Sequence, residues 1–285
     1  MKLLTTALAA AILLAPGLAN AQFSGSIVMM KKQHLAGEPV NVKVTITNYS
    51  GEEQVLGGGR VPWISFLIKT INGNPVMSRP AQFNPKPVLI GAGQSLAREF
   101  DLSEIVQLDQ AGNYTVAAII RPPNDNMEGT GTNREFFEIR SGNPIWSQKV
   151  GGDDPKSLRE YRLVQFNGPQ GAQLYVQLLD GQNNRILTTV YLGGALMMHT
   201  PTCKIDNQRH LQVLFRSSPS IWVHYRVTPE GIVAQRTFHR MAAVGDPRLL
   251  PQADGSVQVI NSIPFDPVAD AKARGSIRKI SDRPE

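Results

Sequence analysis

The chain has a single cysteine, Cys203, among 285 residues. One thiol cannot close an internal disulfide or form a CxxC metal clip, so stability has to come from buried apolar surface. Beyond the first residues, no apolar run approaches the roughly 20 residues that a membrane-spanning helix needs. There are five histidines, at 34, 199, 210, 224 and 239. None forms the i, i+4 helical pair or the tight carboxylate cluster that metal sites favour, so no metal and no cofactor is expected. Nucleophile signatures are missing too: no Gly-x-Ser-x-Gly elbow precedes a helix, and no Ser-x-x-Lys falls where a helix is expected. The glycine run Gly57 to Gly59 is followed by Arg60 rather than Lys-Ser/Thr, which reads as a strand connection and not a phosphate loop. The net charge of +6 is dispersed. Arg274, Arg278 and Lys279 are interleaved with Asp270 and Asp282, which argues against a nucleic-acid-binding stripe.

What is present begins with a leader. Lys2 is the only charge before an apolar run from Leu3 to Leu14, followed by Pro16, Gly17 and Ala19-Asn20-Ala21. This pattern implies a signal peptide over residues 1–21 with cleavage before Gln22, and a mature chain in the periplasm or outside the cell. No cysteine follows the run, so a lipoprotein anchor is not indicated.

From 22 to 141 the pattern is that of strands and turns. Val40 to Asn48 alternates apolar and polar, as a strand with one buried face does. Trp63 to Ile71 is more continuously apolar and ends at the turn Asn72-Gly73. Gly112 to Ile120 and Glu135 to Arg140 supply the last two of about seven strands, the count expected of an immunoglobulin-like sandwich. Asp109-Gln110-Ala111-Gly112-Asn113-Tyr114-Thr115-Val116 resembles the tyrosine corner of such sandwiches, where a Tyr hydroxyl bonds back to the backbone. The order of these pieces is similar to bacterial exported sandwich domains of the macroglobulin-like and bacillar proteinase-inhibitor kinds. That resemblance implies the fold and, as an alternative function, protease inhibition through the loop Arg121 to Gly131.

Arg140-Ser141-Gly142-Asn143-Pro144 reads as a junction, and residues 142–266 as an antiparallel β-repeat domain. Strands at Tyr161–Phe166, Ala172–Leu179 and Arg185–Leu192 are separated by turns. The layout recurs 47 positions on, with Val176 mapping to Val223, Ile186 to Val233 and Tyr191 to Phe238. Upstream, Val164-Gln165-Phe166 maps to Leu211-Gln212-Val213, and Asp254 to Val259 starts a third unit that stops near Pro264. The period and layout resemble a propeller blade, but closed propellers have roughly four to eight blades. The units therefore form an open sheet or small sandwich, or assemble between chains as a homo-oligomer. Residues 267–285 hold almost no large apolar residues, a composition expected to be disordered. The expected fold class is all-β: an immunoglobulin-like sandwich followed by antiparallel repeats.

One stretch, residues 210–239, gathers three of the histidines. Thr228-Pro229-Glu230-Gly231 suits a type I turn, which sets Val227 against Ile232 and Tyr225 against Ala234. One strand face then carries Ile221, Val223, Tyr225 and Val227. The other carries Trp222, His224 and Arg226, with Gln235, Thr237 and His239 nearby. Alternation in a half-buried sheet produces such a polar face without any function. Its functional reading is a ledge for a glycan or protein ligand: Trp222 as a platform, His224 and Arg226 as donors. The paired acids Glu52-Glu53 and Asp153-Asp154 lie in turns and read as solvated. The function expected is that of an exported, non-enzymatic binding, adhesion or scaffold protein. The alternatives are a secreted protease inhibitor and a glycan-acting hydrolase, the latter requiring two carboxylates facing one another across a cleft.

Overall fold

The computed structural model describes residues 23–79, 83–122, 129–151, 158–169 and 171–280, with side chains as far as Ala273. The leader, residues 123–128 of the expected inhibitory loop, and Asp153-Asp154 lie outside the described residues.

The first unit comprises β1 (Phe23–Met29), β2 (Gln33–Leu35), β3 (Asn41–Asn48), β4 (Gln54–Leu56), β5 (Ile64–Thr70), β6 (Val88–Ile90), β7 (Ser95–Asp101), β8 (Gly112–Ile120), β9 (Thr130–Gly131) and β10 (Glu135–Arg140). One sheet runs β1-β3-β7 and the other β2-β10-β8-β5, with β9 added to β8. Alternation decides what lies between them. Val42, Val44 and Ile46 of β3 meet Val116, Ala118 and Ile120 of β8 in one core, all fully buried. This makes a β-sandwich. Tyr114 closes its corner: the hydroxyl donates to the Gln110 carbonyl at 2.8 Å. The ring stacks on Phe137 with centroids 5.4 Å apart.

The rest of the chain contains β11 (Asn143–Val150), β12 (Arg159–Gly168), β13 (Gly171–Asp180), β14 (Ile186–Gly194), β15 (Thr202–Ile205), β16 (Leu211–Ser218), β17 (Ile221–Val227), β18 (Val233–Met241), β19 (Arg248–Pro251), β20 (Val257–Ile260), β21 (Ser262–Phe265) and α1 (Pro267–Ile280). Strands β11 to β14 form one antiparallel meander. Strands β15 to β18 form a second, which β21 extends by pairing with β18. The meanders pack face to face: Leu163, Val176 and Leu178 share a core with Val213, Phe215, Val223 and Tyr225. The two units therefore bury each other's apolar faces within one chain, as a small sandwich.

The sequence echo is a likeness of layout and not of register. Val223 stands opposite Phe238 as Val176 stands opposite Val190, so the outer strand is offset by 48 positions, not 47. Phe215 stands opposite Val223 as Leu163 stands opposite Val176, an offset of 52. Bulges and unequal turns absorb the differences. The expected third unit is replaced by a cap. Hairpin β19–β20 folds over the outer face of β16 and β17, where Leu249, Val257 and Val259 cover Leu214 and Trp222.

Residues 267–280 also differ from expectation, being helical where composition favours disorder. The Asp266 carboxylate accepts from the amides of Val268 and Ala269. Asp270 pairs with Arg240 at 3.3 Å. The first turn of the helix is capped by Asp266 and tethered by the Arg240–Asp270 ion pair, with residues 267–273 exposed or half-buried.

The outer face of the first meander is covered by the segment between β1 and β3. Leu35 packs against Val164, Phe166 and Tyr175. The Ala36 carbonyl accepts from Gln177 Nε2 at 2.9 Å and Thr189 Oγ1 at 3.0 Å. Lys31 Nζ lies 2.7 Å from Glu38 Oε1 and 3.2 Å from the Tyr175 hydroxyl. Burial pushes that phenol's pKa upward, and Glu38 adds to the effect, so Tyr175 stays neutral in this cluster.

Gly142 is where the chain crosses between the units. Its φ is +70°, and a Cβ there would lie 2.5 Å from Val164 Cγ1 and 2.6 Å from Leu35 Cδ1. Gly93 shares the same φ with nothing within 4 Å. Gly93→Ala should therefore cost about 1 kcal/mol, the backbone penalty alone. Gly142→Ala should cost about 1–3 kcal/mol more, from overpacking between the units. Urea unfolding of the two variants checks this; equal losses would mean that the junction is loosely packed.

Candidate functional site

Strand β17 places its side chains as alternation requires. Trp222 stands opposite His239, His224 opposite Thr237 and Arg226 opposite Gln235. The register differs from that expected from the turn, because Val227 meets Val233, and a bulge follows between Arg226 and Val227. From Arg226 inward the displacement is two residues, which preserves faces, so the composition of the polar face is as expected.

Its exposure is not. Trp222 is 6% exposed and His224 is 7% exposed, so neither offers a ledge. Arg226 is only partly exposed, and its Nε is buried without a hydrogen-bond partner. The cause is the β19–β20 cap, whose tip is fastened to the turn before β16. Asn207 Nδ2 donates to the Asp254 carbonyl at 2.7 Å, and Asn207 N to Gly255 O at 2.9 Å. Around Trp222, His224 and His239 the face is thus buried, and the polar groups there, Arg226 Nε apart, find partners in one another, as burial demands.

Those partners form a chain of hydrogen bonds across the second sheet. Asp206 Oδ2 accepts from Gln212 Nε2 at 2.7 Å. Gln212 Oε1 lies 2.8 Å from His224 Nε2, which is therefore the protonated ring nitrogen. Thr237 Oγ1 lies 3.4 Å from His224 Nδ1 and 2.9 Å from His239 Nε2. His239 Nδ1 reaches Ser262 Oγ at 3.1 Å. Burial lowers the pKa of His224 to about 4, and His239 and Arg226 add to the effect. Burial also lowers that of His239. Both rings are neutral at neutral pH and structural in role. Among the described residues, no group of three His, Cys, Asp or Glu is placed to hold a metal ion.

The remaining sequence candidates are likewise engaged. Cys203 packs against the core between the meanders, and burial pushes its thiol up to about 12, far from a nucleophile's range. His34 is buried, with Nε2 at 2.8 Å from the Lys31 carbonyl. Asn48, at the end of β3, is fully buried; its amide donates to the carbonyls of Glu52 and Ile90.

Next to Trp222 the surface opens into a cleft of about 270 Å³ lined by Arg216, Ser220, Trp222, Arg240, Met241 and Asp246. Arg216 stands opposite Trp222 across the β16–β17 hairpin. Its guanidinium is held at Nε by the Ser218 carbonyl at 3.3 Å, at Nη1 by His199 Nε2 at 2.5 Å, and at Nη2 by the Pro219 carbonyl. The His199 ring in turn stands edge-on to the Trp222 ring, with centroids 5.7 Å apart. Arg240 lies 3.8 Å above the Phe265 ring and pairs with Asp270. Sequence reasoning found Trp222 but missed its neighbours. The signal available was the Ser217–Ser220 turn, which sets Arg216 beside Trp222; Arg240 arrives from β18, paired to β17 and β21, and Asp246 through a loop that no period encodes.

No protein-family model matches the chain, and no curated protein matches it. Among solved structures, it is similar to the CARDB domain of PF1109 from Pyrococcus furiosus, at 14% identity over 42% of this chain and 95% of that one, with a TM-score of 0.25. It is also similar to the sporulation control protein Spo0M from Bacillus subtilis, at 10% identity over 90% of this chain and 96% of that one, with a TM-score of 0.28. A beta-glucosidase from Listeria innocua is 18% identical over 41% of this chain, which spans 16% of that enzyme, with a TM-score of 0.28. Likenesses of this size carry no argument about function, and the all-β assignment rests on the sheets themselves.

The lowered pKa of His224 makes a pH prediction. The unfolded ring titrates near 6.5 and the folded ring near 4. Between these values the unfolded chain binds more protons, so the stability contributed by neutral His224 is full above about pH 6.5 and is lost as the pH falls toward about 4. The loss is about 3 kcal/mol. Chemical denaturation of His224→Gln across this window should show a stability less dependent on pH than that of wild type; parallel curves would mean that the ring is hydrated.

Proposed function

We propose that this chain is an exported, non-enzymatic binding or scaffold protein of the cell envelope or extracellular space. Its ligand contact is the cleft at Arg216, Trp222 and Arg240. One observation carries this reading: the rings of His224 and His239 and the thiol of Cys203 are engaged inside the protein, while the open surface beside them offers two guanidinium groups around an apolar edge. His224 is bonded to Gln212, His239 to Ser262, and the Cys203 thiol is held protonated by burial. Fixed cationic groups beside an apolar wall suit recognition, because little side-chain entropy remains to be lost on binding. Export is supported by the leader-like residues 1–21. The contact surface moves from the expected ledge of Trp222, His224 and Arg226 to the cleft, keeping Trp222 alone of the three as a lining residue.

The test uses the mature chain from Gln22 against immobilised glycans and purified envelope proteins. A ligand captured by wild type should bind about tenfold more weakly to Arg240→Gln. Arg226→Ala, which alters a residue outside the cleft, should bind as wild type does. Equal capture by wild type and Arg240→Gln, with loss in Arg226→Ala, would restore the ledge and contradict the cleft. Turnover of a chromogenic glycoside or peptide by the purified mature chain would contradict the non-enzymatic reading.

A further inference from the structure

We propose that the cleft recognises a carboxylated pyranose, a uronate, within an acidic glycan. This rests on the reading of the cleft as the ligand contact and gives it a chemistry. The size comes first. A cleft of about 270 Å³ lies just below the usual range of small-molecule sites, so it fits one sugar ring and not a peptide segment.

The charge comes next. The lining carries two guanidinium groups, Arg216 and Arg240, against one carboxylate, Asp246. Counting Asp270, which pairs with Arg240 at 3.3 Å, the charges balance, so recognition of a carboxylate rests on the orientation of the guanidinium donors and not on net charge. Each guanidinium is oriented by the fold before any ligand arrives. Arg216 is gripped by two carbonyls and the His199 ring, bonds that take three of its five N–H groups. Arg240 sits 3.8 Å over the Phe265 ring, with one nitrogen on Asp270. Planar groups with donors to spare in a fixed plane match a carboxylate in bidentate fashion, which a flexible ammonium does not.

The rest of the lining suits a sugar and not a bare anion. Asp246 is exposed at the cleft and accepts hydrogen bonds from hydroxyls. Ser220 both donates and accepts. Met241, 58% exposed, and the edge of Trp222 provide apolar surface for the C–H groups of a ring. Carboxylate, hydroxyls and an apolar edge together define a uronate.

The experiment is calorimetric titration of the mature chain with galacturonate and glucuronate oligosaccharides, neutral glucose oligosaccharides of the same length, and acetate. The uronates should bind at least about tenfold more tightly than the neutral sugars and acetate. Arg240→Gln should lose about tenfold in uronate affinity, and Arg240→Lys, which keeps the charge without the planar fork, should recover only part of it. Asp246→Asn changes an exposed residue and serves as the second variant if Arg240→Gln does not fold; it should weaken uronate binding. Uronate binding unchanged in Arg240→Gln and in Asp246→Asn would overturn the assignment of the site. Neutral sugars or a purified protein binding in the cleft in place of uronates would overturn the uronate inference while leaving the binding reading intact. No saturable binding of any glycan or protein probe would overturn both.

Discussion

The carbonyl of Ala36 accepts two side-chain hydrogen bonds from the second unit, and the arrangement of the molecule depends on what surrounds it. Gln177 and Thr189 lie on the outer face of the first meander, which would otherwise face water. The segment after β1 lies over that face, with Leu35 fully buried and Glu38 held by Lys31. A sheet buried on both faces requires each polar side chain on it to find a partner within the protein. The first meander meets this requirement with the backbone of the sandwich. The second meets it, except at Arg226 Nε, with its own side chains, from Asp206 to Ser262. The result is a two-sheet sandwich, two meanders that share a core, and a hairpin cap.

Much of this order was legible in the sequence, and the limits of the rest are physical. Alternation in β3 and β8 marks their core faces, and the Tyr114 corner follows from eight residues of local pattern. The two faces of β17 were separable because period two survives a register error of two residues. What covers each face was not legible. The residues that bury Trp222 lie in β19 and β20, and those that bury Tyr175 lie near Leu35. Periodicity describes a strand's own faces and is silent about distant segments. Hence His224 read as a donor at the surface, although it lies in a hydrogen-bonded interior.

The 47-residue echo illustrates the same point for architecture. It locates two meanders of like layout, yet bulges after Leu174 and Leu178, and after Arg226, shift the pairing so that equal spacing does not mark equivalent positions. Face-to-face packing of the meanders settles the choice between an open sheet and a small sandwich. The site followed a similar course. Trp222 was legible as distinctive, but its neighbours Arg216, Arg240 and Asp246 come from β16, from β18 and from a loop. Residues chosen for reactivity in the sequence are structural, and the cleft is built from residues that the chain order scatters.

The central claim is that the face bearing Trp222, His224 and Arg226 is interior, sealed by the β19–β20 hairpin, and that recognition belongs to the cleft beside it. Amide hydrogen exchange on the mature chain tests this most directly. The account predicts that peptides covering 211–227 exchange as slowly as those covering 159–180, because both central strand pairs are covered on both faces, and that 248–260 is protected as their cap. Rapid exchange across 248–260 with early exposure of 221–227 would contradict it and return the polar face to the surface.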